Sequence, residues 1–468
     1  MLESGYIRIR PEYALRGWQG LPYALVQRGH KPLFMEAGPF RTVQFCNGRF
    51  EAKSPVFMGE SKRHLEELDR LGLIEYLDEP GHLLPEQEYR LYGNRYLEAV
   101  HWSITGRCNY RCRHCYMRAP HAVLPQPPLE QCLDIADQIA DCGVPRVSLT
   151  GGEPLVRRDF LQIVDRILER GMSIFLIMTN GALVDETLLD ELDARGCRPE
   201  LNMSFDGPRE QHDWLRGVDG AYDSVRRALT LCRDRGFPTG TELVLHRGNV
   251  GALRESVRLL GELGVGPLVV GSVNDEGEAC SMAGQILSYD EVFDICCEYL
   301  PQFLEDGCPV PSLTLCGTFQ VQGGEVRLLR GGVDHGEGCA DSPACDGMRD
   351  SMYLGADGAI LPCIPMSCEG KGRDTFPNVA NMTISEALTD SSYWDLVEAT
   401  AGDVFERNPE CRKCAYRARC LGGCRAKGVD EHGNPDAMRR DPGACRYFLG
   451  GYYERAREVV ERCQGAPS

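Results

Sequence analysis

No uninterrupted apolar run approaches eighteen residues, so nothing in the sequence predicts a membrane-spanning helix. The first twenty residues hold Glu3, Arg8, Arg10, Glu12 and Arg16 and lack the apolar core of a secretion signal, which makes the cytoplasm the expected compartment. Basic charge is scarce. There are 51 Lys and Arg against 69 Asp and Glu, a formal net charge of -18. Such a surface repels phosphate backbones and disfavours a nucleic-acid partner. No internal repeat is evident. Hydrophobic residues make up 43% and charged residues 26% of the 468, which excludes a disordered chain and leaves room for about three domains. What is abundant is cysteine, 23 in all, an odd number that cannot pair completely as disulfides. In a reducing compartment, clustered cysteines read as metal ligands or redox groups.

The texture of the chain divides it into four stretches: 1–95, 96–275, 276–338 and 339–468. In the first, short apolar runs precede a helix-like segment from Glu60 to Tyr76, with Leu65, Leu68 and Leu71 near helical spacing. Its 13 basic and 13 acidic residues make it neutral, and Glu66, Glu67 and Asp69 lie where a DNA-binding winged helix would carry bases. Residues 96–275 alternate strand-like runs (Ala99–Thr105, Arg146–Thr150, Ser173–Thr179, Leu201–Phe205, Thr241–Leu245, Leu268–Val273) with helical patterns. Six such units predict an α/β fold with a parallel sheet, a partial (β/α)6 TIM-like barrel or a doubly wound sheet, with ligands at the carboxyl ends of the strands. Residues 276–338 read as a connecting helix, Tyr289 to Leu304, and an irregular bridge. Residues 339–450 are rich in Cys, Gly, Pro and Arg, and metal ligation would supply the stability that a thin apolar core lacks.

Three cysteines, Cys108, Cys112 and Cys115, follow the first strand of the repeat within eight residues. Three thiolates on a four-iron cube leave one iron open to a ligand, whereas a structural zinc site needs a fourth donor and His114 abuts Cys115. A second group holds Cys339, Cys345 and Cys363, then C-x2-C-x5-C-x3-C at Cys411, Cys414, Cys420 and Cys424, then Cys445. Eight thiolates suffice for two fully ligated four-iron clusters; zinc ribbons are the alternative. Among the other cysteines, Cys132, Cys142, Cys232, Cys296 and Cys297 lie on apolar helical faces and read as buried small hydrophobes. Cys46 reads as part of the N-terminal core. Cys280 and Cys368 sit in irregular polar surroundings.

The C-x3-C-x2-C spacing, with aromatic Tyr116 next, on the loop after strand one resembles the radical S-adenosylmethionine (radical SAM) superfamily. The resemblance implies that Gly151, Gly152 and Glu153 of T-G-G-E-P serve the methionine amino group. It further implies that Asn180, Ser204 and Asp206 line the cofactor site after strands three and four, and that Arg216 pairs with the SAM carboxylate. Gly271 and Ser272 could border the adenine, and His246 reads as a packed histidine. The second cysteine group resembles the SPASM extension. By position it implies one auxiliary cluster on Cys339, Cys345, Cys363 and Cys424 and another on Cys411, Cys414, Cys420 and Cys445. Residues 1–95 resemble the winged-helix-like RiPP recognition element, which binds leader peptides; the edge would be Leu33–Glu36 and the helix Lys62–Leu71. Together the resemblances imply a maturase of a ribosomally made precursor peptide with three [4Fe-4S] clusters, SAM and an external donor such as a flavodoxin or ferredoxin. A thioether or carbon–carbon crosslink is the expected product, with no catalytic base assigned. Rivals are an anaerobic sulfatase-type maturase, disfavoured because Ile364 stands where that subgroup carries aspartate, and a zinc-stabilised binding module.

Overall fold

The computed structural model describes residues 4–28, 30–274, 276–282, 284–368, 373–389 and 391–465. The N-terminal part holds β1 (Tyr6–Ile9), β2 (Tyr13–Gln19), β3 (Leu21–Gln27), β4 (Leu33–Phe34), α1 (Ala37–Phe45), β5 (Asn47–Glu51), α2 (Glu60–Arg70), β6 (Ile74–Leu77) and β7 (Arg90–Arg95). They form two small sheets, ordered β5-β1-β6 and β4-β3-β2-β7, so β4 is an edge strand. The segment Glu60 to Tyr76 is not one helix. α2 stops at Arg70, Gly72 turns with φ of 69°, and the Leu73 amide donates back to the Leu68 carbonyl at 2.9 Å. Glycine is the residue that takes this left-handed cap without strain. The chain then enters β6, antiparallel to β1. Trp18 anchors the unit on the rest of the protein: it stacks on Tyr92 at 5.4 Å, and its Nε1 donates to the Cys142 carbonyl at 3.2 Å.

All six strands expected of the repeat are present: β8 (Ala99–Ser103), β9 (Arg146–Thr150), β10 (Ser173–Thr179), β11 (Glu200–Ser204), β12 (Thr239–Leu245) and β13 (Pro267–Ser272). They pair in parallel, in sequence order. Their interiors are near-continuous apolar runs because parallel strands are covered on both faces. Between them run α3 (Leu129–Asp141), α4 (Phe160–Glu169), α5 (Glu186–Ala194), α6 (Arg209–Arg216), α7 (Ala221–Asp234) and α8 (Leu253–Glu262). In α4 the buried residues Phe160, Ile163, Val164 and Ile167 recur at helical spacing and form the face turned to the sheet.

The sheet extends beyond the repeat at both ends. After α9 (Tyr289–Glu305), β14 (Ser312–Leu315) pairs in parallel with β13 and leads into the antiparallel β15 (Phe319–Gln322) and β16 (Glu325–Leu328). At the other edge β17 (Ser351–Leu354) pairs in parallel with β8, followed by β18 (Ile360–Leu361). The result is one eleven-stranded sheet, β16-β15-β14-β13-β12-β11-β10-β9-β8-β17-β18, open between its ends. The stretch read as an irregular bridge and the cysteine-rich stretch therefore both contribute strands to the central sheet. Among the described residues no helix is long and apolar enough to cross a membrane.

Candidate cofactor site at the barrel mouth

The loop after β8 carries Cys108, Cys112 and Cys115, and three neighbouring segments hold it by backbone hydrogen bonds. The Gly152 amide donates to the Thr105 carbonyl at 2.9 Å and the Glu153 amide to the Arg107 carbonyl at 2.8 Å. This contact requires Gly152, since a Cβ there would stand 2.3 Å from the Arg107 oxygen. From the end of α6, the Arg216 and Leu215 carbonyls accept from the Arg111 and Arg113 amides at 3.2 and 2.9 Å. After β13, the Glu278 amide donates to the Cys115 carbonyl at 3.0 Å.

Donors also reach the sulfurs. Cys108 Sγ accepts from the Tyr110 amide at 3.4 Å, Cys115 Sγ from the Ala119 amide at 3.4 Å, and Cys112 Sγ from Arg216 Nη1 at 3.7 Å. Burial pushes the Cys108 thiol up to about 12, and charge on Cys112, Glu153 and Cys115 adds to the shift, so metal binding is what would ionise it at neutral pH. Three thiols on one loop, each with a donor aimed at its sulfur, suit a four-iron cluster with one open iron.

Beside this loop lies a cavity of about 480 Å³. Six of the residues expected to face the cofactor line it: Tyr116, Gly151, Gly152, Asn180, Ser204 and Arg216. The other two stand behind the wall. Glu153, 0% exposed, accepts from Thr179 Oγ1 (2.9 Å), the Asn180 amide (2.7 Å) and the Leu155 amide (3.1 Å), locking the ends of β9 and β10 together. Burial raises its carboxyl to about 7 despite those three donors. Asp206, also 0% exposed, accepts from Arg216 Nε at 2.7 Å and the Val244 amide at 3.0 Å. Burial alone would raise Asp206, but the charges of Arg216 and His212 more than offset it and hold the carboxyl well below its usual range. Asp206 thus braces Arg216 rather than facing the cavity. Ser272 lines the cavity as well, and His246 is buried against Trp214, with ring centroids 5.0 Å apart.

Sequence reasoning missed several lining residues. Asn202 and Glu242 point inward from β11 and β12, a position that strand alternation could have flagged. Tyr353, Ile364, Pro365 and Lys427 come from the cysteine-rich stretch and carried no local signal, whereas Cys368, singled out for its irregular polar surroundings, does line the cavity. Lys427 Nζ pairs with Glu276 at 3.3 Å across the cavity mouth.

The second cysteine group separates into two sets. Cys411, Cys414, Cys420 and Cys445 line one common cavity with Phe405, Tyr416 and Phe448. Cys345, Cys363 and Cys424 lie close enough that charge on one perturbs another. Cys339 is buried in a small apolar cluster with Ala401, Phe405 and Cys411, and so packs with a member of the first of these sets. Four thiols without imidazole or carboxylate match a fully ligated four-iron cluster. Among the described residues, no three His, Cys, Asp or Glu side chains converge tightly enough for a single metal ion. Among the described residues no disulfide joins the cysteines.

Residues 102–260 match the family model of the radical SAM superfamily. Over 372 residues, 76% of this chain and 90% of the relative, the sequence is 27% identical to an Fe-coproporphyrin III synthase of Methanosarcina barkeri. Over 338 residues, 70% of this chain and 83% of the relative, it is 28% identical to a PqqA peptide cyclase of Gluconobacter oxydans. Its fold is similar to the crystal structure of Streptococcus suis SuiB bound to precursor peptide SuiA. The TM-score is 0.65 at 14% identity, over 94% of this chain and 100% of that one.

Proposed function

We propose that this iron–sulfur radical SAM enzyme matures a ribosomally made peptide in the cytoplasm, joining two of its residues by a thioether or carbon–carbon bond. Cys108, Cys112 and Cys115 would hold the SAM-binding cluster. When bound, that group supplies the electron that splits SAM into methionine and a 5′-deoxyadenosyl radical able to take hydrogen from an unactivated carbon. The chain's own part is to position and to exclude. Gly151 and Gly152 would bring backbone to the methionyl end, Asn180, Ser204 and Tyr116 would line the nucleoside, and Arg216, braced by Asp206, would offer its guanidinium to a carboxylate. Tyr353, Ile364 and Pro365, which line the same cavity, would keep water from the reacting carbon. The two C-terminal cysteine sets would hold auxiliary clusters that take the surplus electron out of the site, Cys339 completing by its sequence position the set with Cys345, Cys363 and Cys424, and a flavodoxin or ferredoxin would serve as the external electron donor. Residues 1–95 would bind the leader of the peptide.

The observation that carries this reading is the extra N-terminal unit. The likeness to the peptide-bound SuiB fold leaves 6% of this chain unmatched, too little to omit residues 1–95. Among the described residues that unit also presents a strand edge at β4 with no further strand beside it, the kind of edge an extended peptide joins. The test is anaerobic incubation of the reconstituted enzyme with SAM, dithionite and each short peptide encoded beside its gene. A peptide lighter by two hydrogens, formed together with 5′-deoxyadenosine, is expected. Deleting residues 1–95 should cost that product more than it costs uncoupled SAM cleavage. Steady 5′-deoxyadenosine with every peptide unchanged would refute the reading.

A second reading has its own support, since the identity to the Fe-coproporphyrin III synthase spans 90% of that relative. An iron tetrapyrrole precursor therefore belongs in the same assay as an alternative substrate, with Fe-coproporphyrin III as the product sought. Its conversion would move the assignment from peptides to tetrapyrroles.

A further inference from the structure

Arg425 follows Cys424 directly and is 2% exposed. Its guanidinium donates five hydrogen bonds, all to carbonyl oxygens: Nη2 to Gly422 (2.6 Å) and Gly423 (3.0 Å), Nη1 to Ala437 (2.8 Å) and Arg439 (3.1 Å), and Nε to Gly423 (3.3 Å). Among the described residues no carboxylate lies within ion-pair range of it. A buried cation satisfied only by dipoles is expensive unless an anion lies near. The ionisable groups that its charge reaches are Cys424 and Cys345 of one auxiliary set, Cys420 of the other, and Asp441. Asp441 is buried as well; its carboxylate accepts from the Cys424 amide at 3.2 Å and the Gly443 amide at 2.8 Å, and its charge reaches Cys424 and Cys445. One cation and one anion, both out of solvent, are thus shared between the two cysteine sets.

We propose that Arg425 is a counter-ion common to both auxiliary clusters and raises the potential at which each accepts an electron. The inference rests on the reading that both sets hold four-iron clusters. Four thiolates give such a cluster a net negative charge, and taking up one electron adds to it. A fixed cation in a low-dielectric interior stabilises the reduced form more than the oxidised form. Asp441 acts in the opposite direction. The arrangement makes Arg425 a positioning residue for the electron's exit: it sets how readily the clusters take the electron that an oxidative crosslink releases, and it touches neither SAM nor substrate.

The test uses the full-length reconstituted holoenzyme, with iron counting and potentiometric titration followed by electron paramagnetic resonance. Wild type should hold about twelve irons per chain. Arg425→Gln should lower the midpoints of both auxiliary clusters by at least tenfold in the reduction equilibrium, about 59 mV for a one-electron couple, and leave the SAM-binding cluster in place. Arg425→Lys, which keeps the charge without the fork, should stay near wild type. Asp441→Asn should move the same midpoints upward, and it decides the question if the Gln variant loads iron poorly. Twelve irons with unmoved midpoints would overturn the counter-ion role alone. Equal drops in the Gln and Lys variants, or an equal shift of all three clusters, would overturn it too. About four irons in wild type would instead sink the auxiliary-cluster reading on which it rests.

Discussion

Replacing Asp206 with asparagine removes one charge from a fully buried pair while keeping the shape of the side chain. The amide oxygen can still accept from the Val244 amide, which lies 3.0 Å from the carboxylate in the wild type. Arg216 Nε loses its anionic partner at 2.7 Å and keeps only the Cys112 sulfur, 3.7 Å from Nη1. Breaking a buried pair from one side costs about 3–5 kcal/mol, because the remaining charge stays out of water. For a cooperative unit of roughly 200 residues each kcal/mol moves the midpoint by about 2–4 °C, so Asp206→Asn should melt roughly 6–20 °C earlier. Thermal unfolding of the cluster-free chain, followed by circular dichroism near pH 7 under reducing conditions, reads this directly. The double variant Asp206→Asn with Arg216→Met should recover much of the loss, since it removes the stranded cation. The acid limb provides a further check. Asp206 is held below the ordinary carboxylate value, so its contribution is complete above the unfolded pKa and is lost as pH falls through the folded one. The asparagine variant should therefore lose less stability than wild type on acidification. A midpoint within about 2 °C of wild type, or strictly additive single variants, would refute the argument that this charge pair holds the cofactor wall.

Gly152→Ala places a Cβ 2.3 Å from the Arg107 oxygen, so the cysteine loop must part from β9; a loss of about 1–3 kcal/mol in thermal unfolding and poor iron loading at the first loop are expected. Glu153 titrates near 7 in the fold, above its unfolded value, so its protonation stabilises the native state fully at low pH and that stability falls as pH rises through about 7. Glu153→Gln should flatten this part of the stability–pH curve, and an unchanged slope would assign it to another group. Cys112→Ala should abolish 5′-deoxyadenosine formation from SAM and dithionite while leaving the N-terminal unit folded; retained cleavage would contradict its place at the cluster.

Local pattern made the barrel legible. The six strands of the repeat fall where runs such as Arg146–Thr150 and Ser173–Thr179 put them, because buried parallel strands leave short apolar runs between amphipathic helices. The segment Glu60 to Tyr76 misled because Leu65, Leu68 and Leu71 keep helical spacing almost to Gly72; the strand that follows, Ile74–Leu77, has only four residues, too short a span for periodicity to register. β14 and β17 were missed for another reason. Each is four residues long and becomes a strand only by pairing with β13 or β8, a contact that no local pattern carries. At the site, spacing brought Cys108, Cys112 and the glycines together on one wall. It could not show that Glu153 and Asp206 would be consumed by hydrogen bonds behind that wall, since their partners, Thr179, Asn180, Val244 and Arg216, depend on the packing of neighbouring strands and α6.

The cavity has two walls of different origin, and β17 is what joins them. One wall is the mouth of the barrel, with Gly151, Asn180, Ser204 and Arg216. The facing wall, with Tyr353, Ile364, Cys368 and Lys427, belongs to the stretch that also carries Cys363 and Cys424. Residues Ser351 to Leu354 pair in register with Ala99 to Trp102, immediately before the first cysteine loop. The separation between that loop and the Cys363 turn is therefore fixed by backbone ladder hydrogen bonds within a single sheet, not by a linker that could swing. Substitutions at Ile364 or Lys427 can reshape what fits between the walls without altering how β9, β10 and α6 hold the cysteine loop. The two walls of the cavity thus lie on separate segments locked into one sheet.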